Sequence, residues 1–172
     1  TVESVKDGIR VYPNPVGILT NNPPFDQQML RLNDYMHLSP KPPHSHFSEK
    51  LSLRAYSRGM GALGLPGDLS SQSRFVKAAF VKMNSVSGTS ESKSVSQFFH
   101  ILGFAEQVKG LCRLSDGKSN YTVYSSCCNT DRGIYYYITY DDRKIRCVDM
   151  KKEDLNSKKI AVYPLNIEKS FF

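Results

Sequence analysis

The sequence is short of cysteine, of metal-ligand spacing and of long apolar runs, and each shortage removes a class of protein. Its four cysteines are Cys112, Cys127, Cys128 and Cys147, with no C-x-x-C pair among them. That excludes the usual zinc ribbons and fingers. So few cysteines in 172 residues also argue against a disulfide scaffold. Adjacent Cys127 and Cys128 would point to opposite faces of a strand, and all four are expected as reduced, buried thiols of a cytoplasmic protein. No apolar stretch approaches the ~20 residues of a membrane span, so no membrane partner is expected. No secretory-leader pattern and no internal repeat are seen. The basic stripe of a nucleic-acid binder is missing as well. The net charge is +7, and seven of the 23 basic residues fall between Arg143 and Lys159, with Lys169 beyond them. Asp149, Glu153 and Asp154 are interleaved with these, so the stretch reads as a solvated surface and not a nucleic-acid footprint.

What remains is an ordinary globular composition. Hydrophobic residues make up 40% and charged residues 23% of the chain, and ten Tyr with nine Phe argue against disorder. A chain of this length can bury one core.

Several elements are legible. Apolar runs at 2–5 and 9–12 flank Lys6-Asp7-Gly8, a hairpin signal. Residues 16–20 read as a short buried strand ending in the sharp loop Asn21-Asn22-Pro23-Pro24. Phe25, Met29, Leu32 and Met36 fall on one helical stripe. Residues 37–68 form a long irregular stretch rich in Pro, Gly and His. Ser71 is the expected cap of a helix with Phe75, Val76, Ala79, Phe80 and Met83 on its apolar face. A Ser/Gly/Thr linker at 85–92 precedes a helix carrying Val95, Phe98, Phe99, Leu102 and Ala105. Ser94 and Gln97 have capping-box spacing there, and Gly110 lies past the end. From Tyr121 the period changes to two, and 121–128, 134–140 and 145–149 read as an antiparallel meander, with 159–165 as a candidate fourth strand. This order predicts an α+β fold, helices layered on antiparallel sheets, with the large side chains of both helices packed onto the sheet.

Four segments carry a resemblance. They are Asn14-Pro15-Val16-Gly17-Ile18-Leu19-Thr20-Asn21-Asn22-Pro23, the run from Gly64 to Phe75, Ser96-Gln97-Phe98-Phe99-His100-Ile101-Leu102, and Gly133-Ile134-Tyr135-Tyr136-Tyr137. Together they resemble the choloylglycine hydrolase family, which comprises bile salt hydrolases and penicillin V acylases, from about Ser4 to Leu165. The wording of the motifs is closer to the bile salt hydrolases of Gram-positive bacteria. The resemblance implies a cytoplasmic bacterial amide hydrolase without metal or cofactor. It also implies an αββα N-terminal-nucleophile sandwich whose nucleophile is a terminal Cys with its own α-amino group as base. An α-amino group ordinarily titrates at about pH 8, close enough to neutral to accept a proton.

Two residues here match the family's functional positions. Asn21 is implied as an oxyanion donor, and Arg74 as the guanidinium beside the nucleophile. On spacing alone Asn21 would be a turn residue and Arg74 a surface residue; the motif match reverses both readings. No substrate-binding residue is assigned. His37, His44 and His46 read as exposed, and His100 as a core-edge residue.

The resemblance places Thr1-Val2-Glu3-Ser4 inside a strand in the middle of the enzyme. Residues 1–172 are therefore expected to be the C-terminal portion of one such domain, inactive alone and dependent on the preceding half that carries the nucleophile. Thr1 as a nucleophile is the less favoured reading. The implied substrate is a glycine- or taurine-conjugated bile acid. The alternatives are penicillin V acylase and a non-catalytic domain from a split or degraded gene. The loop at 36–63 matches the one that joins subunits in a homotetramer.

Overall fold

In a computed structural model of the protein, which describes residues 1–165, Asp7-Gly8 turns the chain back as its sequence predicts. Strand β1 (Val2–Val5) pairs antiparallel with β2 (Gly8–Val11) in the register Val2↔Val11 to Val5↔Gly8. The chain forms two compact units, Thr1–Val86 and Ser87 onward.

In the first unit, helix α1 (Phe25–Arg31) continues into a 3₁₀ turn, Leu32–Tyr35, and helix α2 spans Ser71–Asn84. The stripe read from the sequence holds for Phe25, Met29 and Leu32, but Met36 lies beyond the last turn and is exposed. Phe25 and Phe75 are 2% and 0% exposed and meet edge to face at 6.1 Å, with Val16 and Ala79 beside them. Each such ring contributes about 1.5–3 kcal/mol by leaving water. The α2 face therefore closes on α1 and the Val16 segment, where sequence reasoning expected it on the sheet. Phe80 is only half-buried and Met83 is exposed.

Residues 16–20 are irregular, beginning in a turn at Val16, and pair with no strand among the described residues, contrary to the reading of a strand there. Their polar groups are satisfied by side chains instead. The Asn14 amide donates to the Ile18 carbonyl at 2.9 Å, and Lys82 Nζ donates to the Val16 carbonyl at 2.7 Å. Gly17 has φ +60, and a Cβ there would meet Lys82 Nζ at 2.2 Å, so only glycine lets the lysine reach.

The stretch 37–68 is irregular apart from a 3₁₀ turn at Met60–Ala62. Its two limbs meet where Ser39 N donates to Gly61 O at 2.9 Å, and a Cβ on buried Gly61 would lie 2.4 Å from the Ser39 carbonyl oxygen.

In the second unit, helix α3 (Glu91–Gly103) starts one turn earlier than the capping-box reading, because Ser90 and not Ser94 is the cap, accepting from Lys93 N. A short hairpin, β3 (Cys112–Arg113) with β4 (Ser119–Asn120), was not legible. The predicted meander is present as β5 (Tyr124–Asn129), β6 (Ile134–Thr139) and β7 (Arg146–Asp149) in the order β5-β6-β7. Residues 159–165 form no strand: Ile160 and Val162 alternate correctly but stay exposed, with no neighbouring strand to pair them among the described residues. Lys169 lies outside the described residues.

Helix α3 packs on β5. Glu91 in its first turn accepts from Asn129 Nδ2 at 2.5 Å and from the Tyr136 hydroxyl at 2.9 Å, and it pairs with Arg132. The Tyr136 hydrogen bond, with those of Asn129 and Arg132, holds the Glu91 carboxyl below its ordinary value. The opposite sheet face carries Tyr124, Cys128, Tyr135 and Val148. It is an open apolar surface with a cavity of ≈520 Å³ reaching Met150 and Leu155.

Candidate functional site

The loop that follows Thr20 and the first turn of α2 bring Asn21 and Arg74 together. Arg74 Nη2 donates to Asn21 Oδ1 at 2.9 Å across a sequence separation of 53. This contact fixes more than proximity. A guanidinium can only donate, so the amide atom facing it must be the oxygen. The Asn21 Nδ2 group then turns to the other side as a donor. Asn21 also lines a polar cleft of ≈280 Å³ with Glu3, Ser4, Thr20 and Asn22.

Both partners are held by their own elements. The peptide Asn22–Pro23 is cis. The Glu3 carboxylate accepts from Phe25 N at 2.8 Å, tying β1 to the start of α1 just after the loop. At the start of α2, Ser70 and not Ser71 is the cap, accepting from Ser73 N at 3.3 Å. Asp68 receives Ser70 N at 2.9 Å and the Ser73 hydroxyl at 2.5 Å. Arg74 is the next residue in that turn. Its Nε is buried with no hydrogen-bond partner among the described residues.

The hydrogen bonds from Ser70, then Ser73, hold the Asp68 carboxyl far below the ordinary aspartate value of about 3.9. The depressed value means that the folded state prefers the carboxylate. The resulting stability is present above the ordinary pKa and is lost as pH falls through the folded one. In a carbon-13 titration Asp68 should remain ionised at about pH 3, roughly a unit below the ordinary midpoint. A midpoint at the ordinary value would show that Asp68 does not brace this turn.

The other candidates fall elsewhere. His37, His44 and His46 are exposed as expected, but so is His100, which sequence reasoning placed at a core edge. Its position on α3 points away from the Phe99 face. All four cysteines are free, and none is fully buried: Cys128 and Cys147 are exposed, Cys112 and Cys127 half-buried. Cys128 lies on the sheet face opposite the one on which α3 packs. Among the described residues no three His, Cys, Asp or Glu side chains gather as a metal site.

Sequence reasoning missed Gln28. It is 1% exposed and donates to the carbonyls of Asn21 and Pro23, 2.7 Å each. The signal was available: Gln28 stands on the stripe of Phe25, Met29 and Leu32, where a polar side chain must find partners.

Residues 1–163 match the family described as linear amide C–N hydrolases, choloylglycine hydrolase family. A bile salt hydrolase/transferase of Lactiplantibacillus plantarum is 58% identical over 171 residues, 99% of this chain and 53% of that protein. The crystal structure of a mutant conjugated bile acid hydrolase from Clostridium perfringens superposes with a TM-score of 0.83 at 37% identity, covering 96% of this chain and 50% of that one. The penicillin V acylase of Agrobacterium tumefaciens matches with a TM-score of 0.63 at 20% identity, covering 92% of this chain and 44% of that one, a likeness of fold alone. The chain spans about half the length of the relatives it matches. The fold class is α+β, part of an αββα N-terminal-nucleophile hydrolase sandwich with antiparallel sheets and flanking helices.

Proposed function

Since this chain belongs to the choloylglycine hydrolase family of linear amide C–N hydrolases, we propose that residues 1–172 are the C-terminal portion of a bile salt hydrolase domain and supply Asn21 and Arg74 to its active site. The observation that carries this reading is the Arg74–Asn21 hydrogen bond of 2.9 Å. The guanidinium sets the amide so that Nδ2 points outward, where a fixed donor stabilises the oxyanion formed when a nucleophile adds to the substrate carbonyl. Collapse of that intermediate expels glycine or taurine from the conjugated bile acid, and water then releases the acyl group. The nucleophile, a Cys with its own α-amino base, belongs to the preceding half of the same domain. That half also supplies the acceptor for Arg74 Nε and strands over the open face of Tyr124, Tyr135 and Val148. The catalytic set on this chain needs neither metal nor cofactor. The cell compartment is the bacterial cytoplasm.

The substrate class is tested by comparing kcat/KM for glycine- and taurine-conjugated bile salts with that for penicillin V in the complete enzyme. The bile salts should be hydrolysed with the higher kcat/KM. Preference for penicillin V would make the protein an acylase of the same family, and no turnover of either would favour a non-catalytic domain.

The parent enzyme is proposed to be a homotetramer through residues 36–63. That loop displays Phe47 and Tyr56, 78% and 86% exposed, with Leu51 and Leu53 between them. Large apolar side chains in a loop braced by a close backbone contact suit a subunit interface. Phe47→Asp with Tyr56→Asp should shift the sedimentation coefficient of the complete enzyme from tetramer to smaller species. An unchanged tetramer would place the interface elsewhere.

A further inference from the structure

A polar chain centred on buried Gln28 runs from the loop of Asn21 to the helix that carries Arg74. Gln28 is 1% exposed on the apolar stripe of Phe25, Met29 and Leu32, where packing alone calls for an apolar side chain. Its polar atoms are matched instead. Nε2 uses both hydrogens on the carbonyls of Asn21 and Pro23, and Oε1 faces the Thr20 hydroxyl at 2.6 Å. Thr20 Oγ1 accepts from Ser71 Oγ at 3.1 Å and lies 3.0 Å from the Ser71 carbonyl. A hydroxyl has one proton, and the 2.6 Å contact to Gln28 takes it. The chain is therefore directional: Ser71 donates to Thr20, Thr20 to Gln28, and Gln28 to the two carbonyls. Its ends are informative. One grips Asn21 itself and the loop on either side of it. The other is Ser71, three residues before Arg74 in the first turn of α2. A hydrogen-bonded network of this kind favours one arrangement of the groups it joins.

We propose that Gln28, acting through Thr20 and Ser71, is the positioning residue that holds the Asn21 carboxamide in register with Arg74. It touches no reacting atom. This inference rests on the reading of Asn21 as the oxyanion donor. A donor must sit within a few tenths of an ångström of its working position, and a small misplacement is enough to lose most of its effect.

The test is a set of variants of the complete enzyme assayed on a conjugated bile salt. Gln28→Met keeps the volume and removes every hydrogen bond. It should lower kcat on the order of 10- to 100-fold while KM changes by less than about twofold, because Gln28 does not contact substrate. In the Asn21→Ala background the same substitution should cost less than about twofold more, since its effect passes through Asn21. A residue of merely structural importance would cost the same factor in both backgrounds. Thr20→Val removes the donor to Gln28 with little change of shape, should give a smaller kcat loss with the same non-additivity, and decides the matter if Gln28→Met does not fold. The proposal is overturned if Asn21→Ala is impaired while these variants retain kcat within about twofold, or if their losses multiply with that of Asn21→Ala. If Asn21→Ala itself keeps full kcat, the oxyanion reading fails first and the positioning role falls with it.

Discussion

Residues 1–172, purified alone, should release neither glycine nor taurine from conjugated bile salts above the uncatalysed background. The expected loss is the whole of an enzymatic acceleration, on the order of 10⁶-fold or more. Asn21 and Arg74 can orient and stabilise, but neither can attack a carbonyl. The cysteines are no substitute. Each lies within the chain without an α-amino base, and burial, with the neighbouring Cys128, pushes the Cys127 thiol upward, away from thiolate. Thr1 is engaged as a strand neighbour. Its amine donates to the Tyr12 carbonyl at 2.8 Å, its hydroxyl accepts from Asn14 at 2.8 Å, and its carbonyl accepts from Tyr12 N at 2.8 Å. Robust turnover that vanishes in Thr1→Ala would overturn this account and make Thr1 the nucleophile.

Local chemistry decided what could be read in advance. The Asp7-Gly8 turn, the helix beginning at Phe25 and the period-two meander from Tyr124 to Asp149 were legible because each depends on its own residues. The irregular segment at 16–20 was misread as a strand. Its apolar side chains face a core as a strand's would, while its backbone is satisfied by Asn14 and Lys82, the latter 66 residues away from Val16. The destination of Phe75 was misread for a related reason. Amphipathicity shows that a face is buried but does not name its partner, which proved to be Phe25. The site divides in the same way. Asn21 and Arg74 stood out only through the motifs that contain them, and nothing in their spacing of 53 foretold a hydrogen bond. Gln28 left a trace in the helical stripe, but what it binds depends on the return of the Asn21 loop.

In the complete enzyme Asn21→Ala should lower kcat by roughly 10²–10³, the usual cost of one oxyanion donor. The substitution removes the carboxamide and leaves Arg74 Nη2 without its acceptor, so the effect should fall on kcat with little change in KM. Arg74→Ala should also slow turnover, because the amide is then no longer held with its oxygen inward. The two losses should be less than multiplicative, since the pair works as a unit. The most direct measurement is steady-state hydrolysis of a glycine-conjugated bile salt by the parent enzyme, Asn21→Ala, Arg74→Ala and the double variant. A kcat deficit of roughly 10²–10³ for Asn21→Ala, with a double variant scarcely worse, is the predicted result. Asn21→Ala turnover within about twofold of the parent would contradict the assignment of this pair to the active site.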